Sequence, residues 1–344
     1  MALRMESRTT SDALFQALAA RVPGLGVMVL RGGRGARLSA SGVRSAGRAD
    51  PATVADPWHI GSCTKAMTAT VLARLQARGL VDPGAELGEA LPGIPMHPAC
   101  ASLPLRAVLR HEAGLRRDPH RSVFARLRAT RAPIVEQRRH IATLALAERP
   151  LAGSGYSNLG YIVLGAVIEA ATGLSWEQAV AREVFAPLGM QGAGTGAPPP
   201  PAPVGHVRHG GRWQARPPGP GADNPPLYGP AGRVHLPLAD WARFAAVHLR
   251  AGPPGYLSPA LLGEMHRAGR GGFAAGWRVE AAAGGDTVLR HTGTNTMWFA
   301  DIRLMPGAGI GVAVTCNAYG PALGAHVSAF ADTLLAETLA TFQN

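Results

Sequence analysis

The sequence Gly61-Ser62-Cys63-Thr64-Lys65 stands directly before a long, mostly apolar segment. Lys65 is the only lysine among the 34 lysine and arginine residues of the chain. Free lysine titrates at about pH 10.4 and can lose its proton when it is buried, whereas arginine, which titrates above about 12, keeps its charge. The sequence therefore indicates that this position requires an amine that can be neutral or can pass on a proton.

The residues after this motif predict how the serine and the lysine are arranged. Apolar side chains recur at helical spacing between Ala66 and Leu80. Ser62 and Lys65 are three residues apart, so on a helix their side chains lie on the same face of the first turn. The positive end of the helix dipole near Ser62 would also stabilise a developing oxyanion. The alternative is a serine that only caps the helix and a lysine that only faces solvent, because Ser-x-x-Lys alone is a short motif.

Composition and charge describe a globular chain with a large core. Its 344 residues are 47% hydrophobic and 16% charged, with a formal net charge of +12. Roughly a third of the arginines lie between Arg106 and Arg139, among few acidic residues. Neither a nucleic-acid-binding motif nor interleaved aromatic residues accompany this cluster. We therefore expect no nucleic-acid partner and interpret the cluster as a solvated basic face beside a pocket.

The cysteines and the terminal segment bear on the compartment. Cys63, Cys100 and Cys316 are too few and too scattered for a disulfide framework, which favours a reducing compartment. Cys63 lies beside Ser62, but a helix would turn it about 100° away, so we expect it to pack in the core. Residues 1–10 lack the apolar part of a signal peptide, and no run reaches about 18 apolar residues. We expect a cytoplasmic protein with no membrane partner.

The segment from Ala197 to Pro230 is rich in proline and glycine and is predicted to be mostly loop, with one small hairpin at residues 205–214. His206 and His209 lie in that hairpin, but no third ligand has a suitable spacing for a metal. We interpret both histidines as loop residues and expect neither a metal nor a cofactor.

Strand patterns lie near both ends of the chain, and helical patterns lie between them. The predicted strands are Gly26–Leu30, Ala36–Val43, Phe273–Val279, Thr287–His291, Trp298–Met305 and Ile310–Cys316. The main predicted helices are Leu103–Leu109, Ile134–Ala147, Asn158–Ala171, Trp176–Phe185, Pro237–Leu249, Ser258–Arg267 and Ala322–Thr341. Short turns join the last four strands, which indicates antiparallel pairing. The pattern predicts an α+β fold in which one antiparallel sheet is built from both termini and is flanked by helices, with an inserted, mainly helical lobe.

Two further stretches can complete a site around Ser62. Residues Tyr156–Asn158 (Tyr-Ser-Asn) precede a predicted helix, and His291–Thr294 (His-Thr-Gly-Thr) end a predicted strand. A nucleophilic serine needs a base, a group that fixes the substrate and donors for the oxyanion. Tyrosine, asparagine and the backbone of a strand end are able to supply all three.

These three motifs, in this order, resemble those of the serine β-lactamase and penicillin-binding protein superfamily. The resemblance is to its class C β-lactamase-like branch of esterases, D-amino-acid peptidases and acyltransferases, which carry S-x-x-K, Y-x-N and K-T-G or H-x-G motifs. Segments Leu103–Leu115 and Gly155–Met190 are also similar to the family. The resemblance implies a β-lactamase-like fold, with residues 1–344 as a single catalytic domain. Its α/β lobe would comprise residues 10–60 and 230–344, and its helical lobe residues 61–229.

The resemblance also implies catalytic roles for three residues. Ser62 would attack a carbonyl and become acylated, while Lys65 and Tyr156 would share its proton. The ammonium of Lys65 would lower the pKa of Tyr156 and make a phenolate accessible, whereas burial would lower the pKa of Lys65 itself. Which of the two holds the proton in the resting enzyme stays open, because the two titrations are coupled.

Four substrate-binding residues follow from the same resemblance. Asn158 would orient Lys65 and the substrate, and the backbone N–H groups of Ser62 and Thr294 would hold the oxyanion. His291 and Gly293 would complete the substrate-binding edge. The implied function is hydrolysis of small-molecule esters or amides, with esterase activity favoured. The alternatives are a D-aminoacyl peptidase, a weak β-lactamase, an acyltransferase, or a non-catalytic ligand-binding member, and the oligomeric state is left open.

The chain also departs from the family pattern. Met297 and Trp298 stand near the position of a usual glycine, so we expect them to narrow or roof the acyl site. Arg233 replaces a second usual glycine. His291 stands where penicillin-recognising relatives typically carry lysine, and a free histidine is mostly neutral at about pH 7.5. We therefore expect neutral esters to be preferred over carboxylate-bearing donors.

Overall fold

The computed structural model describes residues 9–32, 35–120, 123, 132–219, 221–282 and 285–342. Much of the arginine-rich cluster, at 121–122 and 124–131, lies outside the described residues, as does the turn at 33–34. The described helices are α1 (Thr10–Ala19), α2 (Thr64–Ala77), α3 (Leu87–Ala90), α4 (Pro98–Ala101), α5 (Leu105–Leu109), α6 (Ile134–Ala147), α7 (Asn158–Thr172), α8 (Trp176–Val180), α9 (Gly229–Gly232), α10 (Leu238–His248), α11 (Pro259–Met265) and α12 (Pro321–Phe342). A π-helical turn, Ala181–Phe185, continues α8.

Strands from the two ends of the chain meet in one sheet. The described strands are β1 (Gly24–Arg31), β2 (Gly35–Gly42), β3 (Trp58–His59), β4 (Gly194–Thr195), β5 (His206–His209), β6 (Arg212–Ala215), β7 (Val234–Leu236), β8 (Arg278–Ala281), β9 (Thr287–Thr294), β10 (Phe299–Met305) and β11 (Ile310–Cys316). The main sheet has the order β2-β1-β11-β10-β9-β8, and each neighbouring pair is antiparallel. Because β1 pairs with β11, the predicted α+β fold with a sheet built from both termini is confirmed.

Both faces of the main sheet are covered, and β1 shows how the sequence achieves this. Successive side chains of a strand point to opposite faces. Met28 and Leu30 belong to the core cluster that contains α2, whereas Val27 and Val29 pack in a second cluster with Phe330 of α12. Full burial of such a side chain stabilises the fold by about 1.5–3 kcal/mol. A strand with two covered faces reads as a continuous apolar run, which is what the sequence shows.

Helix α2 runs through the interior rather than along the surface. All residues from Thr64 to Ala73 are buried, and so is Leu75. Most of these side chains are alanine or threonine, and their small size lets neighbouring elements approach closely. The hydroxyl of Thr68 donates to the carbonyl of Pro230 at 2.7 Å and accepts from the indole N–H of Trp176 at 3.1 Å. Lys65 therefore stands on an enclosed helix, and Ser62 lies in the 3-10 turn directly before it.

Helix α7 begins at Asn158, the last residue of the Tyr-Ser-Asn motif. The side chain of Ser157 caps it by accepting from the backbone N–H of Gly160 at 2.8 Å, and Gly173 ends it with a left-handed φ of 68°. Among the described residues, no single helix is long and apolar enough to cross a membrane. Only α7 and the segment Trp176–Phe185, taken together across a 78° bend, meet that length and composition.

Three features differ from the sequence-based predictions. The strand predicted at Phe273–Val279 begins at Arg278 instead, because residues 273–277 form a tight turn closed by a bond from Ala274 N to Trp277 O at 2.8 Å. Strands β3, β7 and β4 form a small sheet that was not predicted, because strands of two or three residues are too short to show an alternating pattern of apolar residues. The first residues of the site helix form a 3-10 turn, Gly61–Cys63. The hairpin predicted within residues 205–214 is present as β5 and β6.

Candidate active site

Ser62 lies in the 3-10 turn between strand β3 and helix α2. Gly61 has a φ of 50°, which glycine adopts without strain. A Cβ atom at Gly61 would lie 2.3 Å from the backbone N of Thr294, and one at Gly293 would lie 2.7 Å from the backbone N of Ser62. Strand β9 can lie directly against this turn only because both positions are glycine. This close approach brings the N–H groups of Ser62 and Thr294 together.

The amine of Lys65 is buried directly beneath Ser62, with no exposed surface. Its Nζ lies 3.3 Å from Ser62 Oγ, 2.8 Å from Asn158 Oδ1 and 2.6 Å from the carbonyl oxygen of Ala231. Burial lowers the pKa of Lys65 well below its usual value, and the charge of Asp118 acts in the opposite direction. The predicted pairing of serine and lysine is therefore present, on an amine whose surroundings favour its neutral form.

Tyr156 covers the other side of this amine. The Lys65 Nζ lies 4.8 Å from the centre of the Tyr156 ring, and the tyrosine hydroxyl hydrogen-bonds with Ser62. Burial raises the pKa of Tyr156 well above its usual value, although the bond with Ser62 opposes this shift. The expectation that a phenolate becomes accessible is therefore wrong for this site. The desolvation of the ring outweighs the charges near it, so the hydroxyl keeps its proton.

Asn158 is held between Lys65 and a carboxylate that the sequence analysis missed. Its Nδ2 donates to Asp118 Oδ1 at 2.9 Å, and the hydroxyl of Tyr228 donates to the same oxygen at 3.0 Å. Because a carboxylate only accepts hydrogen bonds, the NH₂ group of Asn158 faces Asp118 and its carbonyl oxygen faces Lys65. Asp118 is the only acidic residue between Glu112 and Glu136, within the arginine-rich cluster, and that isolation was the available signal.

A neighbouring turn fixes the Tyr-Ser-Asn loop. The ring of His111 lies 4.7 Å from the ring of Tyr156, and its Nδ1 accepts from the backbone N–H of Ser157 at 3.1 Å. The carbonyl of His111 accepts from Gly155 N at 2.9 Å. Burial lowers the pKa of His111 to about 2, so its ring stays neutral and keeps this acceptor. The segment ending at Leu115, which resembles the family, thus supports the site from behind.

His291 forms the wall of the site opposite Tyr156, with the two ring centres 6.1 Å apart. Its Nδ1 lies 2.7 Å from the carbonyl oxygen of Thr292, so Nδ1 carries the proton and donates it there. Burial and the charge of Lys65 lower the pKa of His291 to about 3, and the ring is neutral at ordinary pH. Nε2 of the neutral ring is then a hydrogen-bond acceptor.

The predicted site residues line a cavity of about 540 Å³, except Lys65, which lies beneath Ser62. The lining also includes the aromatic rings of Phe273, Phe299 and Tyr319. The exposed or half-buried charged side chains Arg117, Arg278, Glu280 and Arg290 form the mouth of the cavity. A larger cavity, of about 800 Å³, contains Arg117 and Asp118 but none of the three predicted catalytic residues. The smaller cavity is therefore the candidate active site.

Two residues predicted to roof the site lie elsewhere. Met297 is 6% exposed and Trp298 is 1% exposed, and both belong to the core cluster around α2. The Trp298 ring packs edge-on against Trp58, with ring centres 6.2 Å apart. Neither lines the cavity, so the expected narrowing of the acyl site is wrong. The bulky pair instead fills space beneath the turn that follows β9.

The arginine-rich cluster is not one solvated face in the described residues. Arg138 has no exposed surface and forms ion pairs with Glu169 and Glu177 inside the helical region. Arg117, by contrast, is 71% exposed and lies at the mouth of the site. The expectation of a basic face beside a pocket therefore holds for Arg117 and fails for Arg138.

His206 and Cys63 have structural partners. Within the described ranges, no group of three or more His, Cys, Asp or Glu residues is arranged to hold a metal ion. His206 bonds through Nδ1 with the carbonyl of Asn317 at 2.7 Å and accepts at Nε2 from Ala46 N at 2.9 Å. Cys63 is buried and its Sγ donates to the carbonyl of His291 at 3.4 Å, so the prediction that it packs in the core is confirmed.

Comparison with known proteins agrees with this architecture. A family model described as Beta-lactamase matches residues 11–337. The chain is 27% identical over 312 residues to Penicillin-binding protein 4 of Amycolatopsis lactamdurans, covering 81% of this chain and 76% of that protein. It is 35% identical over 159 residues to Esterase/beta-lactamase LipL of Mycobacterium tuberculosis (strain ATCC 25618 / H37Rv), covering 43% of this chain and 34% of that protein.

The fold is also similar to solved structures. The octameric penicillin-binding protein homologue from Pyrococcus abyssi superposes with a TM-score of 0.78, covering 96% of this chain and 76% of that chain at 21% identity. The family match spans nearly the whole described sequence and includes all three motifs that meet at the cavity. The chain belongs to the Beta-lactamase family, in the serine β-lactamase and penicillin-binding protein superfamily of hydrolases.

Proposed function

We propose that the protein is a serine hydrolase that forms an acyl-enzyme on Ser62 and hydrolyses small esters, with amides as slower substrates. The observation that carries this proposal is the set of partners around the Lys65 amine. A neutral amine has two hydrogens and one lone pair. The oxygens of Asn158 and Ala231 accept the two hydrogens, which leaves the lone pair facing the Ser62 hydroxyl.

Acylation follows from this arrangement. Lys65 removes the Ser62 proton while Oγ bonds to the carbonyl carbon of the substrate. The carbonyl oxygen becomes an oxyanion between the N–H groups of Ser62 and Thr294. A donor in such a position typically contributes about 3–4 kcal/mol to the transition state.

Tyr156 acts as the proton donor for the leaving group. Its hydroxyl is protonated and hydrogen-bonded with Ser62, so it can protonate the departing alkoxide and be reprotonated by the Lys65 ammonium. In the second half of the cycle a water attacks the acyl carbonyl and its proton passes to the same groups. The Ser62 hydroxyl is restored, the acid leaves, and both halves balance without any further reactant.

Ester specificity is supported by the acceptor face of His291 and by the cavity volume. A neutral ring with a bare Nε2 offers no cation to a substrate carboxylate, of the kind that β-lactams and many peptide donors carry. A space of about 540 Å³ accommodates a small acyl donor. The name of LipL, a relative that resembles part of this chain, includes both esterase and beta-lactamase, so it supports hydrolysis of acyl donors without separating the two.

A non-catalytic ligand-binding role is the main alternative. Burying an amine among three uncharged partners is unfavourable, because desolvation of the ammonium is not compensated by a direct ion pair. A binding pocket without chemistry has no need of this arrangement. The position of Lys65 therefore favours catalysis.

The proposal is tested by labelling the protein with a fluorophosphonate probe and by assaying p-nitrophenyl acetate, a D-alanyl p-nitroanilide and nitrocefin in parallel. We expect labelling at Ser62, none in Ser62→Ala, and turnover in the order ester, anilide, β-lactam. A folded wild-type protein that neither labels nor turns over any of the three would overturn the proposal. Nitrocefin as the best substrate would reject the ester preference while leaving the acyl-enzyme in place.

A further inference from the structure

Asp223 is a buried carboxylate in the proline- and glycine-rich loop after β6, a part of the chain to which the sequence analysis assigned no role. Its side chain is 4% exposed. Its Oδ1 lies 2.9 Å from His59 Nε2 and accepts from Asn295 Nδ2 at 3.0 Å, while its Oδ2 accepts from Arg233 Nε at 3.0 Å. These three partners come from three segments that surround Ser62.

The first segment is the turn that carries the nucleophile. His59 Nδ1 accepts from the backbone N–H of Gly61 at 3.1 Å, so the neutral ring carries its proton on Nε2, which faces Asp223. The carboxylate therefore fixes the tautomer and the orientation of His59. Through His59 it fixes the Ile60–Gly61 peptide, one residue before the peptide that carries the Ser62 N–H.

The second segment is the end of β9. Asn295 is 4% exposed and directly follows Thr294, whose N–H is the other oxyanion donor. While its Nδ2 donates to Asp223, its Oδ1 accepts from the backbone N–H groups of Met297 and Trp298 at 3.2 Å and 3.1 Å. The carboxylate thus anchors the turn that holds Thr294 in place.

The third segment is helix α9 and the residue after it. Arg233 pairs with Asp223, and the neighbouring Asn224 donates through Nδ2 to the carbonyl of Gly232 at 3.2 Å. A Cβ atom at Gly232 would lie 3.6 Å from the backbone N of Ser62, so this segment packs against the same turn. It also contains Ala231, whose carbonyl holds the Lys65 amine.

We propose that Asp223 is the positioning residue of the oxyanion site, which holds the N–H groups of Ser62 and Thr294 in register through His59 and Asn295. The inference rests on the acyl-enzyme proposed for Ser62. The two donors belong to segments more than 200 residues apart in sequence. An oxyanion donor is effective only when it lies about 2.7–3.1 Å from the developing charge. A shared buried partner fixes both segments, so that each donor can lie at that distance from the same oxyanion.

Asp223 is suited to this task because its charge is constant. Burial alone would raise the pKa of Asp223, but His59, Arg233 and Asn295 outweigh that effect and hold it at about 2. The carboxylate therefore stays ionised wherever the enzyme works. Removing this carboxylate therefore changes the geometry of the site, and it does not remove a group that titrates in the range where the enzyme is assayed.

The test compares Asp223→Asn, which keeps the shape and removes the charge, with Asp240→Asn as a matched control. Asp240 is also a buried aspartate that pairs with an arginine and accepts from a backbone N–H, but these partners, Arg243 and Gly192, do not belong to the segments that carry Ser62 and Thr294. The measurements are the rate of Ser62 labelling by a fluorophosphonate, and kcat and KM for p-nitrophenyl acetate, at a temperature where all variants are folded.

We expect Asp223→Asn to lower the labelling rate and kcat by about tenfold to a hundredfold, less than the 10²–10³-fold typical of losing a donor outright. KM should change less than about threefold, because ground-state binding does not use the oxyanion contacts. Asp240→Asn should leave both quantities within about twofold of the wild type. A merely structural role of Asp223 would lower the melting temperature of both variants and leave kcat of the folded fraction unchanged.

A second variant keeps the inference testable if Asp223→Asn does not fold. Asn295→Ser removes the bond to Asp223 and shortens the side chain that accepts from Met297 and Trp298, but it leaves the contacts of Asp223 with His59 and Arg233 in place. We expect a loss of about fivefold in kcat with KM unchanged. Expressed as free energies, the loss of activity in the double variant should be smaller than the sum of the losses in the two single variants, because both act through one partner. Labelling within about twofold of the wild type in every folded single variant would overturn the positioning role. An unlabelled wild type would overturn the acyl-enzyme, and this inference with it.

Discussion

The carboxylate of Asp118 orients the amide of Asn158, and this contact determines what the Lys65 amine can do. Asn158 donates through Nδ2 to Asp118, so its oxygen is turned toward Lys65 and accepts one of the amine hydrogens. The Ala231 carbonyl accepts another. With both acceptors fixed, the remaining direction of the amine points at Ser62 Oγ. A side chain outside the three motifs therefore fixes the direction in which the lone pair of the neutral amine points.

Replacing Lys65 by arginine tests the need for an amine that can be neutral. Arginine keeps the charge but does not release its proton in the accessible pH range, so we expect acylation to fall by about 10³-fold or more. The measurement is the fluorophosphonate labelling rate of Lys65→Arg. Lys65→Met is the control, because it removes the base without adding a charge and should lose as much. Labelling of Lys65→Arg within about tenfold of the wild type would contradict the role as a base.

The lowered pKa of Lys65 predicts how the free energy of unfolding depends on pH. The pKa of Lys65 is lowered in the folded protein, so between that value and about pH 10.4 the unfolded chain binds a proton that the folded protein does not. Stability then rises with pH across this window, by at most about 1.4 kcal/mol per pH unit. Urea unfolding of the wild type and Lys65→Met at several pH values isolates this contribution. A constant difference between the two curves would show that Lys65 is not desolvated.

Replacing Tyr156 by phenylalanine separates its hydroxyl from its ring. Phenylalanine keeps the packing against His111 and Phe273, whose ring centres lie 4.7 Å and 6.1 Å away, and loses only the contact with Ser62. We expect kcat for esters to fall by about 10²-fold or more, with the melting temperature within a few degrees of the wild type. Circular dichroism melting and steady-state assays check this. A large loss of stability with activity retained would assign Tyr156 to packing.

Replacing Asp118 by asparagine tests the carboxylate that supports Asn158. Its charge raises the pKa of Lys65, so removing it should shift the acid limb of the kcat/KM profile to lower pH. Glu148→Gln is the control, because that acid belongs to the exposed pair with Arg116 and does not contact Asn158. An acid limb that stays in place in Asp118→Asn, or moves equally in both variants, would exclude Lys65 as the group that sets it.

The sequence alone was sufficient for the parts of the site that are local. Ser62 and Lys65 are three residues apart, and the turn of a helix brings them together without any knowledge of the rest of the chain. The apolar runs of β1 and β11 likewise predicted buried strands, and pairing them joined the ends of the chain. Residues that match the family motifs were placed by resemblance, and Tyr156, Asn158 and His291 do line the same cavity as Ser62.

What the sequence did not reveal depends on contacts between distant segments. Asp118 and Asp223 lie in irregular stretches with no period, so periodicity could not distinguish either from a surface carboxylate. The isolation of Asp118 among arginines was a signal, and Asp223 had none. Trp298 was expected at the site because it stands near the position of a glycine that is usual in the family, but the chain turns at Asn295 and directs the ring into the core. The tautomer of His291 depends on a backbone carbonyl one residue away, whose direction only the folded strand defines.

His291 provides the prediction that distinguishes ester from carboxylate-bearing substrates. A free histidine would gain its charge as the pH falls through about 6.5, and the KM of an anionic donor would follow it. In the folded protein the pKa of His291 is about 3, so the ring is neutral throughout the range in which the enzyme can be assayed. We therefore expect the ratio of kcat/KM for a neutral and a carboxylate-bearing ester to stay constant between about pH 5 and 8.

A cation at this position should change that ratio. His291→Lys should lower KM for the carboxylate-bearing ester by about tenfold, since a charge-assisted hydrogen bond is roughly twice as strong as a neutral one, and should leave the neutral ester within about twofold. The arginines at the mouth are the competing explanation for any binding of anions. Arg290 lies 3.6 Å from Asp301 and 3.7 Å from Glu280, so its charge is already partly compensated. Arg290→Gln therefore serves as the control, and it should leave the ratio unchanged. The wild type could instead prefer the anionic ester, and Arg290→Gln could abolish that preference. In that case the arginines at the mouth, and not His291, determine how the enzyme responds to substrate charge, and the physical basis for expecting an esterase fails.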